Sequence, residues 1–167
     1  MSDIHIDDFY KDAAKILLQL YNHFPKKSIL YVDDIAGSDE PDEFGLHSPR
    51  FQAGFSTMVW LAEQGYLKYD SAIKKEALDQ AVLTEQGFLL LSSRSELDFG
   101  EGTLDDLQDE EPANMDEQPQ NHNGSIPTSI MEQSKSNINQ LRKALQSGSS
   151  IMINQCINYM LNKSFNR

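Results

Sequence analysis

The sequence predicts a mainly α-helical protein with a small β-hairpin, followed by an acidic segment and a C-terminal α-helical hairpin. Apolar residues recur at three- and four-residue steps in residues 8–24 and 49–62, and again after residue 130, which is the spacing of amphipathic helices. Between Gly65 and Leu83, two short apolar runs flank a charged stretch, which is typical of a hairpin.

The first predicted helix covers residues 8–24 and ends at Pro25, because the residue before a proline disfavours the helical conformation. Residues 28–32 are predicted to form a small strand or an extended lead-in. Residues 33–36 are predicted to form a brief second helix. An acidic loop, residues 37–48, then separates this helix from the third one.

The third helix is predicted to begin at Ser48 and Pro49, since serine caps helices and proline is tolerated at the first helical position. One of its faces is predicted to be buried in the core. The residues assigned to that face are Phe51, Phe55, Met58, Val59 and Ala62.

Gly65 is predicted to end the third helix in the left-handed conformation that glycine adopts easily. Residues 66–67 then open the hairpin and residues 81–83 form its return strand. Thr84 is predicted to cap a further helix that extends through Leu91.

This order of elements resembles the winged helix-turn-helix domain of bacterial regulators. The resemblance covers residues 8–94 and is strongest in LAEQGYL, SAIKKEALDQ and AVLTEQGFLLL, between Leu61 and Leu91. It implies that the third helix enters the major groove of DNA and that the hairpin tip lies beside a phosphate strand. The residues that it assigns to bases or phosphates are Arg50, Gln52, Ser56, Thr57, Lys68, Lys74 and Lys75.

Two functions remain open from the sequence. The first is a transcriptional regulator that binds double-stranded DNA as a homodimer. The second is a non-enzymatic protein–protein interaction adaptor that uses the same fold and engages a basic protein partner through its acidic surface. The low basic content of the third helix favours the adaptor, and the paired lysines Lys74 and Lys75 favour DNA.

Three segments are predicted: a winged helix-turn-helix domain over residues 1–95, a flexible acidic linker over 96–130, and a helical pair over 131–167. The middle segment contains ten acidic residues and no basic one, so it buries too little apolar surface to offset its ordering entropy. It acts either as a tether or as a cover for basic parts of the same protein. The helical pair either docks on the first domain or joins two copies.

Composition narrows the chemistry further. A lone cysteine, Cys156, cannot form an internal disulfide, and no secretory signal is apparent, so a cytoplasmic protein is expected. Four scattered histidines give no zinc spacing, and no phosphate loop or nucleophile elbow is found. We therefore expect no catalytic residue, no metal and no cofactor. The alternatives to DNA contact are structural. Lys74 and Lys75 would simply be solvated at the hairpin tip, and Arg50 would pair with a carboxylate of the acidic loop.

Overall fold

A computed structural model describes residues 3–99 and 135–166, which form a mainly helical protein with a small antiparallel sheet. The helices are α1 (Ile4–His23), α2 (Val32–Ala36), α3 (Pro49–Glu63), α4 (Glu85–Ser92), α5 (Asn137–Ser147) and α6 (Ser150–Phe165). The strands are β1 (Ser28–Tyr31), β2 (Leu67–Lys68), β3 (Ser71–Ile73) and β4 (Ala77–Leu83). Two elements begin four residues earlier than predicted: α1 begins at Ile4 rather than Asp8, and β4 begins at Ala77 rather than Ala81.

Strand β4 lies at the centre of the sheet. It pairs antiparallel with β1 on one edge and with β2 and β3 on the other, so that β2 and β3 are two segments of one hairpin arm. Ser28 lies opposite Ala81 and Leu30 opposite Leu78, which leaves one extra residue on β4. Gln80, with φ of 53°, absorbs this β-bulge.

The end of α3 and the start of α4 are joined by short-range hydrogen bonds. Gly65 has φ of 84°, and the Thr84 hydroxyl accepts a bond from Gly87 N (3.1 Å) while donating to Gly65 O (2.5 Å). A Cβ at position 87 would overlap the carbonyl group of Tyr66, so only glycine permits this close approach. The predicted roles of Gly65 and Thr84 are confirmed.

The C-terminal helices pack against α1 of the same chain. Ala13 and Leu17 of α1 meet Ile157 and Met160 of α6 within one continuous apolar core. The side-chain amide of Asn137 also donates to Leu90 O on α4 (2.7 Å). Of the two arrangements left open by the sequence, the apolar face of the helical pair is therefore buried by docking on its own chain.

The predicted boundary at residue 95 does not coincide with a change in packing. Leu97 and Phe99 are partly buried against the core, and the Ser95 N–H donates to Lys135 O (2.7 Å). Helix α5 begins only at Asn137, with Ser136 as its cap. The rest of the predicted linker, and the first residues of the helical pair predicted from residue 131, lie outside the described residues.

Candidate interaction groove

A groove of about 510 Å³ runs along the outer side of α3, between the 37–48 loop and the tip of the β3–β4 hairpin. Its volume lies in the range of roughly 300–1,000 Å³ that is usual for ligand pockets. We call it the α3 groove. The residues that line it are Gly45, Leu46, His47, Phe51, Gln52, Phe55, Ser56, Val59, Trp60, Glu63, Lys74 and Lys75.

The floor of the α3 groove is apolar. Phe55, Val59 and Trp60 are half-buried rather than enclosed, and Trp60 is fixed by an edge-to-face contact with Phe9 of α1 (ring centroids 5.2 Å apart). Leu46 on the adjoining loop is 61% exposed. Of the five residues predicted to face the core, Phe51 and Met58 are buried, and Phe55 and Ala62 are partly buried against the core. Val59 is not part of that cluster, and the buried side of α3 also includes Gly54, Thr57 and Leu61.

The 37–48 loop is ordered by its own carboxylates. Asp42 Oδ1 accepts hydrogen bonds from the backbone N–H groups of Phe44 and Leu46 (both 2.9 Å), and Asp39 Oδ2 accepts one from Ser48 N (2.8 Å). The bond from Ser48 N is the main reason that the pKa of Asp39 lies below its usual value; burial opposes this effect and His47 adds to it. Asp39 and Asp42 therefore hold the loop in the conformation in which Gly45, Leu46 and His47 form one wall of the groove.

His47 connects this wall to the hairpin tip. Its Nδ1 lies 3.0 Å from Asp39 Oδ2 and its Nε2 lies 3.3 Å from Glu76 Oε1, while the ring stacks on Phe51 at 4.0 Å. A neutral imidazole carries one N–H, so both nitrogens can donate only when the ring is protonated. Burial lowers the pKa of His47, but the hydrogen bonds with Glu76 and Asp39 outweigh it and raise the pKa above its usual value.

We expect this contact to make stability depend on pH. A group whose pKa is higher in the folded chain than in the unfolded one stabilises the fold fully below its unfolded pKa, about 6.5 for histidine, and loses that effect as the pH rises through the folded pKa. The difference in unfolding free energy between wild type and His47→Gln should therefore be largest below about pH 6.5 and should shrink as the pH rises above it, through the raised pKa of His47. Urea unfolding at several pH values measures it.

The control for this prediction is His23→Gln. His23 is exposed at the end of α1, and its ring nitrogen lies 2.8 Å from the Gln19 carbonyl oxygen of the same helix, away from the groove. All measurements stay above about pH 5, so that Asp39 remains ionised. An equal difference at every pH would mean that His47 does not bridge the two carboxylates in its protonated form.

Arg50 points toward α1 rather than toward solvent. Its Nη1 and Nη2 atoms donate to the two oxygens of Asp12 (both 2.7 Å), and its Nε lies 3.6 Å from Asp8 Oδ2. The Asp12 side chain is 1% exposed. The predicted base or phosphate contact is thus replaced by a bidentate ion pair that fastens α3 to α1, with carboxylates of α1 rather than of the loop.

The other residues assigned to the third helix divide between the surface and the core. Gln52 is exposed and donates to His47 O (2.7 Å), and Ser56 is exposed with its hydroxyl bonded to Gln52 O (2.9 Å). Thr57 is 5% exposed and donates to Ala53 O. Thr57 therefore does not lie on the outer face of α3, contrary to the expectation, whereas Gln52 and Ser56 do.

The lysines assigned to the hairpin are exposed, but they do not form one group. Lys74 and Lys75 line the α3 groove, whereas Lys68 of β2 does not. Lys74 and Lys75 occupy the centre of a tight turn with φ of 48° and 58°, closed by a hydrogen bond from Glu76 N to Ile73 O (2.8 Å). Two positive φ values define a type I′ turn, which normally takes Asn-Gly. Non-glycine residues are strained in this conformation.

Sequence reasoning missed Asp12 and His47, the residues that fix the groove. A carboxylate in the middle of the apolar stripe of α1 was the available signal for Asp12, because such a group is rarely buried without a partner. His47 gave no such signal, since its partner Glu76 is 29 residues away.

Comparison with protein-family models, curated proteins and solved structures gave no match for this chain.

The described part of the chain covers residues 3–99 and 135–166. Within these ranges no three His, Cys, Asp or Glu side chains are placed to hold a metal ion. No helix in the same part of the chain is long and apolar enough to span a bilayer. Cys156 is buried in the apolar face of α6, and burial raises the pKa of its thiol to about 12.

Proposed function

We propose that this chain is a non-enzymatic protein-interaction adaptor built on a winged-helix frame, and that it binds a polypeptide segment in the α3 groove. The observation that carries the proposal is the apolar floor formed by Phe55, Val59 and Trp60 on the outer side of α3. An open apolar groove with a few polar groups at its rim suits the apolar face of a helix or short peptide.

The winged-helix assignment is supported by the order of the elements. Helix α1, strand β1, helices α2 and α3, and the hairpin of β2, β3 and β4 follow one another as the resemblance implies. A winged helix that reads DNA exposes polar and basic side chains on its third helix. Here Arg50 is paired with Asp12 and Thr57 is buried, so polypeptide binding accounts better for the outer face of α3.

Double-stranded DNA is the second candidate, favoured by the exposed lysines Lys68, Lys74 and Lys75. These would contact phosphates through the hairpin, and each neutralised phosphate would release counterions. A transcriptional regulator of this kind would act as a homodimer with two α3 helices on two half-sites. Because the C-terminal helices dock on their own chain, such a dimer would form through other surfaces of the protein.

One pair of variants with the same added charge separates the two candidates. Ser56 lines the groove and Ala53 is exposed on the same helix outside it, so Ser56→Arg obstructs the groove while Ala53→Arg does not. For a polypeptide ligand we expect Ser56→Arg to bind at least about tenfold more weakly than Ala53→Arg, a loss of about 1.4 kcal/mol, because both variants add the same charge and only Ser56→Arg obstructs the groove. For DNA, both variants add a cation to the outer face and should strengthen binding.

The measurement uses the full-length protein. Trp60 is the only tryptophan and lines the groove, so its fluorescence reports occupancy by tryptophan-free peptides selected from a random display library. A labelled random-sequence duplex at low salt tests DNA. Selected peptides that bind Ser56→Arg as well as wild type, or a duplex that binds more tightly to both arginine variants, would count against the polypeptide groove.

A further inference from the structure

The α3 groove is lined by charged residues of both signs. Lys74 and Lys75 lie at the hairpin tip, and Glu63 is the one acidic residue among those that line the groove. The chain as a whole has a net charge of −12, so a pair of lysines beside an apolar floor is a local exception. A ligand in the groove therefore meets cations at one defined place.

Neighbouring carboxylates do not neutralise these lysines directly. Asp39 and Glu76 face His47, and Asp42 accepts bonds from the loop backbone. In the described ranges, 3–99 and 135–166, neither Lys74 nor Lys75 takes part in an ion pair. Within that part of the chain, no carboxylate occupies either ammonium group.

The backbone conformation of the turn also supports a role for the two lysines in ligand binding. Both lysines have positive φ, a backbone conformation that Asn and Gly adopt at lower energetic cost. If the turn had only a structural role, Asn and Gly would make it more stable. Two strained lysines at the rim of the groove therefore support a role in binding.

We infer that the ligand is an acidic amphipathic segment of a separate protein, with apolar side chains on Phe55, Val59 and Trp60 and carboxylates beside Lys74 and Lys75. The inference rests on the proposed function and adds the charge of the partner. It differs from the basic partner expected from the acidic surface, because the groove itself is cationic at the hairpin side. The apolar contacts provide affinity, and the lysine–carboxylate contacts select the partner and its orientation.

The test begins with the tightest peptide selected from the display library on full-length wild-type protein. Three synthetic versions share its apolar residues and carry Glu, Gln or Lys at the charged positions. We expect the Gln version to bind about tenfold more weakly than the Glu version, as two exposed ion pairs would give, and the Lys version more weakly still. High salt should reduce the differences.

The matched protein variant is Lys74→Glu/Lys75→Glu, which should reverse the order of the three peptides. Lys68 lies outside the groove, so Lys68→Glu should leave the order of the three peptides unchanged. Equal binding of all three versions, or selection of basic peptides by wild type, would overturn the acidic partner while the adaptor function stands. Failure to select any peptide that responds to Ser56→Arg would overturn both. A synthetic peptide of residues 101–112 that displaces the selected ligand with higher affinity would assign the groove to the chain's own acidic segment and overturn a separate partner.

Discussion

Replacing Arg50 by methionine is expected to destabilise the fold by about 3–5 kcal/mol, the range for breaking a buried ion pair by removing one partner. The large effect follows from the position of Asp12, whose side chain is 1% exposed and would be left as a carboxylate without its bidentate partner. Asp12→Ala should cost less, because the Arg50 side chain is 33% exposed, can reach water and retains Asp8 as a neighbour. Urea unfolding of the full-length variants measures the free energy of unfolding of each and shows which substitution costs more.

The double variant Asp12→Leu/Arg50→Met tests the cause of the loss. If the loss in Arg50→Met comes from an unpaired buried carboxylate, removing that carboxylate as well should restore much of the stability, since apolar replacements of buried pairs are often tolerated. The restored protein should still bind its ligand in the α3 groove, because neither Arg50 nor Asp12 lines it. A single variant that stays stable but loses DNA binding would instead restore Arg50 as a phosphate contact.

The parts of this fold that the sequence predicted are those fixed by short-range contacts. Ser48 caps α3 through Phe51 N, and Thr84 caps α4 through Gly87 N, each over three residues. Such bonds need only the local residue types and spacing, so the helix starts are readable from the sequence. The left-handed Gly65 at the end of α3 is readable for the same reason.

The parts that could not be predicted depend on how α3 is rotated about its axis. Phe51, Phe55, Met58 and Val59 lie on one broad apolar stripe of this helix, and periodicity alone does not say which part of the stripe is buried. That choice is made by the Arg50–Asp12 ion pair across 38 residues of chain, and by the close contact of Gly54 with α2. Both contacts join residues that are far apart in the sequence, so the rotation of α3 is not predictable from local patterns. For that reason the sequence places Thr57 on the outer face and does not predict the groove.

Exchanging the turn residues for the favoured pair, in Lys74→Asn/Lys75→Gly, is expected to stabilise the protein while weakening its ligand binding. Left-handed backbone costs an ordinary L-residue about 1–2 kcal/mol, and asparagine and glycine avoid most of it. We therefore expect the unfolding free energy to rise by about 1–2 kcal/mol, since glycine returns part of the gain as entropy of the unfolded chain. Thermal and urea unfolding both measure this change.

The control variant, Lys74→Ala/Lys75→Ala, removes the same two charges but keeps Cβ atoms in the strained conformation. It should weaken peptide binding like the Asn-Gly variant and yet give no gain in stability, which separates the effect of charge from the effect of backbone strain. A stability gain with undiminished binding would mean that the ligand does not contact the lysines. A loss of binding together with a gain in stability would mean that the hairpin tip holds a less stable turn because its two ammonium groups are needed at the rim of the groove, a trade-off common at binding sites.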